Sequence, residues 1–395
     1  MAPPPLPLEL INDVTAEILL RLPPDEPEHL VRASAVCKPW LRVVCDPGFL
    51  RRYRAFHGAP PLLGLLHSLQ VLQGDPGSRF ASITALPAFP HPGADLADNS
   101  GARALDCRHG RTLFRMREDE NEFFLVWDPV TGDRHILPPP DINWLVFSAA
   151  VLCATDGCDH LDCHGVPFRV VFVATDEYED VVKASMFSSE TGVWSAPVSL
   201  GNECQCYVEH KKHAVANSRR GRFYTPYVQP RRAALVEDEI CCTIRWDNSI
   251  VKYDLGKNCL SMIKPPPHSS YYIALMEMED GALGFAWIED SSLYLWSRKA
   301  DSIGVAEWVQ RKVIELKGIA PAAGPDEKAV VVGSAEGVDV IFVSTGAGLF
   351  TIKLNSGMVK KIDEPGVYFS VLPYMSFYTP DCGRLSQKRR GLTDL

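Results

Sequence analysis

Apolar side chains between Val14 and Val44 recur at helical spacing. Val14, Ile18, Leu19 and Leu22 form one set, and Leu30, Val31, Ala33, Val36, Cys37, Trp40 and Val44 form a second after a proline break. Pro23, Pro24 and Pro27 forbid a continuous helix, so the chain must turn between Leu22 and Leu30. Pro39 is tolerated only in a first turn, which marks it as the start of the helix carrying Trp40. The pattern predicts three short helices packed around Trp40, with Asn12-Asp13 as the candidate cap of the first. A unit of roughly fifty residues cannot hide this much apolar surface internally. The surplus has to meet a neighbouring domain or a partner protein.

Beyond residue 60 the period changes from helical to alternating. Phe168–Val173, Ala329–Gly333, Val338–Val343 and Leu349–Lys353 read as strands, and no long helical pattern accompanies them. A weak repeat runs through this region: a strand, a turn in which Asp, Asn or Ser leads to Gly, and a second strand. It occurs at Phe124–Gly132, Ser185–Ser195, Ile250–Gly256 and Leu349–Gly357, with a longer variant from Leu293–Trp296 to Glu307–Val309. Glycine takes a positive φ at little steric cost and Asp or Asn bonds nearby backbone N–H groups, so each unit reverses into an antiparallel hairpin. Spacings of about 40 to 65 residues suit four-stranded propeller blades with variable loops, and closure removes the edges a long open sheet would expose. The expectation is an all-β propeller of six or seven blades over residues 60–380; a stack of two sheets is the structural alternative.

Composition refines this picture. A chain of 395 residues with 46% apolar and 23% charged side chains suits one small unit plus one large globular one. The net charge of −9 argues against a general nucleic-acid binder, and the seven acidic and seven basic residues before residue 58 cancel, so the acidity belongs to the remainder. No signal peptide is expected, and no run reaches the ~18–20 apolar residues of a membrane span. Twelve irregularly spaced cysteines do not form a disulfide framework, which with the absence of Asn-x-Ser/Thr sequons favours a reducing cytoplasmic or nuclear compartment.

Candidate chemistry is sparse. Cys153, Cys158, His160, Cys163 and His164 are suitable zinc ligands, but their spacing fits no standard knuckle and no second pair follows closely. The tract is therefore read as a loop between two blade strands with half-buried cysteines, without metal or cofactor. Cys204 with Cys206, and Cys241 with Cys242, could supply distant ligands only in principle, because alternation points Cys241 and Cys242 to opposite faces. No Gly-x-Ser-x-Gly elbow, His-Glu-x-x-His helix or Gly-rich phosphate loop is present, so no enzymatic activity is expected. Asp176, Glu177, Glu179 and Asp180 read as a solvated loop. So do the basic clusters Arg219-Arg220-Gly-Arg222 and Arg231-Arg232, and Lys388–Arg390 falls in a tail, residues 381–395, expected to be disordered.

The segments Glu17-Ile-Leu-Leu-Arg-Leu-Pro-Pro24, Leu30-Val-Arg-Ala-Ser-Ala-Val-Cys-Lys-Pro-Trp40 and Asp46-Pro-Gly-Phe-Leu-Arg-Arg-Tyr53 follow one another in a recognisable order. Over residues 6–57 the chain resembles an F-box. Leu6-Pro7 lies about four residues further from Ile18 than that pattern usually allows, so either the first helix gains a turn or Leu10-Ile11 takes the Leu-Pro role. The Ser189–Ser195 hairpin and the tract Cys158–Phe168 resemble the plant F-box proteins that carry a C-terminal kelch-like or F-box-associated propeller, although the paired glycines of a true kelch repeat are missing. The resemblance implies an α+β multidomain protein, a three-helix F-box followed by a propeller. It further implies docking to a Skp-family adaptor through Leu10, Ile11, Ile18, Leu19, Leu22, Leu30, Val31, Val36 and Cys37, with Pro23 and Pro24 shaping the turn and Trp40 locking the helices or reaching the adaptor. A cullin would be joined indirectly, and the propeller would bind a protein substrate, so that the chain serves an SCF-type ubiquitin ligase without catalysis of its own. The alternatives are a non-ligase F-box scaffold and a propeller hydrolase or sugar-binding protein.

Overall fold

The computed structural model describes residues 12–68, 78–85, 102–118, 121–201, 204–217, 227–245, 249–264, 273–300, 306–316, 329–366 and 368–379. Four short helices come first: α1 (Asn12–Leu19), α2 (Pro27–Val36), α3 (Lys38–Val44) and α4 (Pro47–His57). Each break has a local cause. Pro27 opens α2 in its first turn, and the extended backbone of Cys37, φ −159° and ψ 164°, separates α2 from α3, where Pro39 again sits in the first turn. Four helices replace the expected three because Asp46 forms a further cap, its carboxylate accepting the Phe49 N–H at 2.9 Å. Gly58, at φ +74°, ends α4.

The remaining chain forms six antiparallel sheets. The first begins with β1 (Leu62–Ser68) and β2 (Arg79–Ser82). The second comprises β3 (Arg103–Arg108), β4 (Arg111–Glu118), β5 (Asn121–Trp127) and β6 (Arg134–Leu137). The third has β7 (Trp144–Cys153), β8 (Phe168–Asp176), β9 (Val182–Ser188), β10 (Val193–Trp194) and β11 (Val198–Ser199), the last two both pairing with β9. After α5 (Gln205–Asn217) come β12 (Ala234–Val236), β13 (Glu239–Thr243), β14 (Ile250–Asp254) and β15 (Cys259–Ile263) as the fourth. The fifth holds β16 (Ala274–Glu277), β17 (Leu283–Glu289), β18 (Ser292–Ala300) and β19 (Ala306–Glu315), and the sixth β20 (Val330–Ala335), β21 (Val340–Thr345), β22 (Gly348–Lys353) and β23 (Val359–Asp363). Finally β24 (Ser370–Met375) pairs with β1, so the C-terminal strand completes the sheet that the N-terminal strands began.

The result is a six-bladed propeller, closed by joining the two ends of the β region. Its innermost strands are β24, β3, β7, β12, β16 and β20. Apolar cores lie between neighbouring blades rather than at the centre. Leu63, Leu66 and Leu372 of the first blade meet Ala104 and Phe114 of the second, and similar layers continue around the ring until Leu65 and Val371 meet Val332 and Phe342. Each sheet is therefore buried on both faces, as radial closure requires.

All five sequence repeats are the hairpins joining the third and fourth strands of the second to sixth blades. Gly132, Gly192 and Gly357 take the left-handed conformation expected of their turns, with φ of +82°, +72° and +68°. In the β14–β15 turn that role passes from Gly256 to Asn258, at φ +49°. Cys241 and Cys242 do face opposite sides, each buried in a different interblade core. The sequence pattern missed α5, which is anchored by the fully buried Tyr207 between the third and fourth blades. Among the described residues no helix is long and apolar enough to cross a membrane.

Candidate functional site

The helical unit has two sides. Leu19, Leu20, Leu30, Ala33, Val44, Phe49 and Tyr53 form its core, with Trp40 and Leu22 half-buried at its edge. Tyr53 rather than Trp40 is the centre: its ring meets Phe49 and His57, and its hydroxyl donates to the Leu22 carbonyl at 2.9 Å. Burial pushes the phenol well above its ordinary pKa, so it remains a donor. On the opposite side of α1, Val14 and Ile18 stand one turn apart and are 44% and 46% exposed. Val36, 64% exposed, and the exposed Cys37 end α2.

These placements divide the expected adaptor-facing residues. Ile18, Val36 and Cys37 are exposed, and Leu22, Pro23, Val31 and Trp40 are half-buried. Leu19 and Leu30 are corrected: at 2% and 1% exposure they serve the unit's own core and offer a second chain no side-chain surface. Helical periodicity marks both faces of a small unit as apolar and does not say which is inward. Leu10 and Ile11 lie outside the described residues, as do the basic clusters at 219–222 and 388–390 and the C-terminal tail.

The core of the helical unit is completed by the propeller. Phe377, just past β24, is 3% exposed and sits edge-on against Tyr53 at 6.1 Å, and Leu161 from the β7–β8 loop packs into the same cluster. Arg54 of α4 forms an ion pair with Asp162 in that loop. The loop is tied down in turn by His164, whose Nδ1 lies 2.7 Å from Asp128 Oδ2 and whose Nε2 lies 3.3 Å from the Ser376 hydroxyl. Burial alone would raise the Asp128 pKa, but His164, by hydrogen bond and charge, together with the Thr131 and Val130 N–H groups outweighs it and holds the carboxyl below its ordinary range. Gly110, at φ +75°, makes room for this histidine: a Cβ there would stand 2.8 Å from the His164 ring.

The same loop gathers the metal-ligand residue types. Ligand atoms of Cys153, Cys158, His160 and Cys163 all lie within 4.8 Å of one another. His164, the fifth residue of the tract, is turned away toward Asp128 and Ser376. Cys204, Cys206, Cys241 and Cys242 do not join the group. The reading of this tract as a plain loop is therefore incomplete, because backbone turns at Gly157 (φ +65°) and His160 (φ +57°) fold residues of irregular spacing onto one point.

In the central channel a second polar cluster links four blades. Arg108 of β3 donates to Asp106 at 2.6 Å and, through two nitrogens, to Glu336 beyond β20 at 2.8 and 3.0 Å. Arg232, just before β12, reaches Asp106 at 3.0 Å and Glu336 at 3.1 Å. Asp106 also accepts the Val151 N–H of β7 at 3.0 Å. Burial would raise the Glu336 pKa, yet the two guanidinium groups hold it down at about 2, so two positive and two negative charges balance. The expectation of a solvated loop is thus corrected at Arg232, and at Asp176, which is 1% exposed and accepts the Tyr178 and Glu179 N–H groups at 3.0 Å. Asp106, Arg108 and Glu336 carry no local signal, since the last two are 228 positions apart in the chain.

None of the curated proteins matches this chain. Solved structures with a similar arrangement include a protein from Lactobacillus plantarum, at 9% identity over 79% of this chain and 99% of that one with a TM-score of 0.40. U3-55K is similar at 10% identity, 81% and 86% coverage and a TM-score of 0.39. A chain of a mitotic checkpoint complex is similar at 12% identity with a TM-score of 0.34; 65% of this chain is covered, and it spans 61% of that chain's length. At such identities and scores these likenesses say nothing about activity. Residues 7–52 match the F-box domain model. With the six closed sheets that follow, the chain is an N-terminal F-box joined to a six-bladed all-β propeller.

Proposed function

We propose that this chain is the substrate-receptor subunit of an SCF-type ubiquitin ligase, acting in the cytoplasm or nucleus. The F-box docks a Skp-family adaptor that carries the cullin scaffold, and the propeller holds a protein substrate. The observation that carries this reading is the apolar surface of Val14, Ile18, Val36 and Cys37, which the propeller leaves uncovered while it seals the other side of the same small unit. An interface of this kind buries on the order of 1,200–2,000 Å², with a few apolar anchors dominating. The chain works by positioning: holding a lysine near the conjugating enzyme raises its effective concentration without chemistry by this polypeptide.

The topology also supports a choice of substrate side. In each antiparallel blade the loops after the first and third strands lie on one face, and the β7–β8 loop and the end of β24 place the F-box there. The opposite face carries the connections between blades, including the long β11–β12 segment with α5, and is the side proposed to receive the substrate. Because Leu19 is buried, the test uses exposed positions. Ile18→Asp with Val36→Asp should weaken co-purification of a Skp-family adaptor by about thirtyfold or more, with folding unchanged by circular dichroism. Wild-type adaptor recovery with this double variant overturns the proposal.

A further inference from the structure

We infer that Cys153, Cys158, His160 and Cys163 form a structural Zn²⁺ site that fastens the F-box to the propeller. The inference stands independently of any ligase role. Three thiols and one imidazole are the donor set of a closed tetrahedral zinc site, with no position left for water or substrate. The distances agree with that geometry. Zn–S bonds of about 2.3 Å and Zn–N bonds of about 2.0–2.1 Å give tetrahedral edges of about 3.8 Å between sulfurs and about 3.5 Å between sulfur and nitrogen. Cys158 Sγ and Cys163 Sγ lie 3.7 Å apart, and Cys163 Sγ lies 3.5 Å from His160 Nδ1.

The surroundings orient the ligands. His109, in the β3–β4 turn, stacks on the His160 ring with centroids 4.0 Å apart and planes within 6°. Its Nδ1 accepts the backbone N–H of Cys153 at 3.1 Å, so one side chain sets two of the four ligands. Asp159 accepts the Leu161 N–H at 3.0 Å and tightens the turn between them. Cys163 is buried, and the other three are half-buried.

The position explains what the ion would do. Leu161 and Asp162 stand between ligands His160 and Cys163, and these two residues are the loop's contacts with the helical unit, one in its apolar core and one on Arg54. The β7–β8 loop otherwise has little regular structure, so fixing four of its side chains to one ion fixes the joint. A metal here sets the orientation of the F-box relative to the propeller without touching the exposed face of α1.

The full chain, expressed with added Zn²⁺ and purified reduced, should contain one zinc per polypeptide by elemental mass spectrometry. Cys158→Ser with Cys163→Ser should lose it, whereas Cys204→Ser and Cys259→Ser should retain it. Replacing zinc by Co²⁺ should give the visible absorption of a tetrahedral thiolate site. His160→Cys should keep the stoichiometry and strengthen the sulfur-to-cobalt charge-transfer band, a readout that survives if the serine variants misfold. His109→Ala should weaken zinc binding by about ten- to hundredfold. Chelation should raise amide exchange in residues 154–167 and in α4 together. No bound zinc in the reduced protein overturns the inference, as does zinc retained by folded Cys158→Ser with Cys163→Ser, or a Cys158–Cys163 disulfide trapped by alkylation at lysis.

Discussion

The helical unit and the propeller solve burial in opposite ways. The propeller closes on itself: six apolar layers lie between blades, and the two ends of the β region share one sheet. Its exposed apolar residues, such as Ile136, Val193 and Val309, are scattered over the outer strands of different blades. The helical unit is too short to close. It imports Phe377 and Leu161 to complete one side, and it leaves Val14 and Ile18 together on the other. A unit that keeps an apolar side exposed is thus held by a domain whose sheets bury their own.

If the propeller's closure depends on its charged hub, breaking the hub should have the largest effect. Arg108→Ala leaves Asp106 and Glu336 without their main partner and should cost about 3–5 kcal/mol, read as a lower urea midpoint for the β-sheet signal. The pH dependence has a definite sign. Glu336 is held at about 2 in the folded chain against an ordinary 4.5, so its contribution is complete above pH 4.5 and is lost as pH falls toward 2. Arg108→Ala should flatten that acid limb. An unchanged limb would show that the hub does not secure the ring.

The joint comes next. Phe377→Ala empties a site shared by both regions and should cost about 3 kcal/mol, expressed mainly in the helical unit as raised amide exchange in α4 with the blades unaffected. Equal loosening of blades and helices would mean that the two regions unfold as one. Arg54→Ala should have the smallest effect, about 1 kcal/mol or less, because its partner Asp162 is 44% exposed. A larger loss there would place the joint's strength in the ion pair rather than in Phe377 and Leu161.

Much of this architecture was legible residue by residue. Pro27 and Pro39 open helices where proline chemistry demands it, and the repeated turns at Gly132, Gly192 and Gly357 mark hairpins of successive blades. Five repeats were readable and six blades exist, because the remaining blade joins β1 and β2 to β24 and so leaves no contiguous repeat. Which apolar side chains of the helical unit face outward was only half legible: Ile18 and Val36 are exposed, while Leu19 and Leu30 turn inward. Arg232 looked like a loop charge because its partners, Asp106 and Glu336, sit on other blades.

The sequence by itself determined where helices break, where strands reverse and which residue types each segment offers, since proline geometry, glycine turns and apolar periodicity act within a few positions. Tertiary structure alone decided the blade number, the inward side of each helix, the pairing of Arg108 with Glu336 and the convergence of Cys153, Cys158, His160 and Cys163. Those outcomes depend on ring closure and on loops folded against a second domain. Such forces join groups far apart in the chain, and no local pattern encodes them.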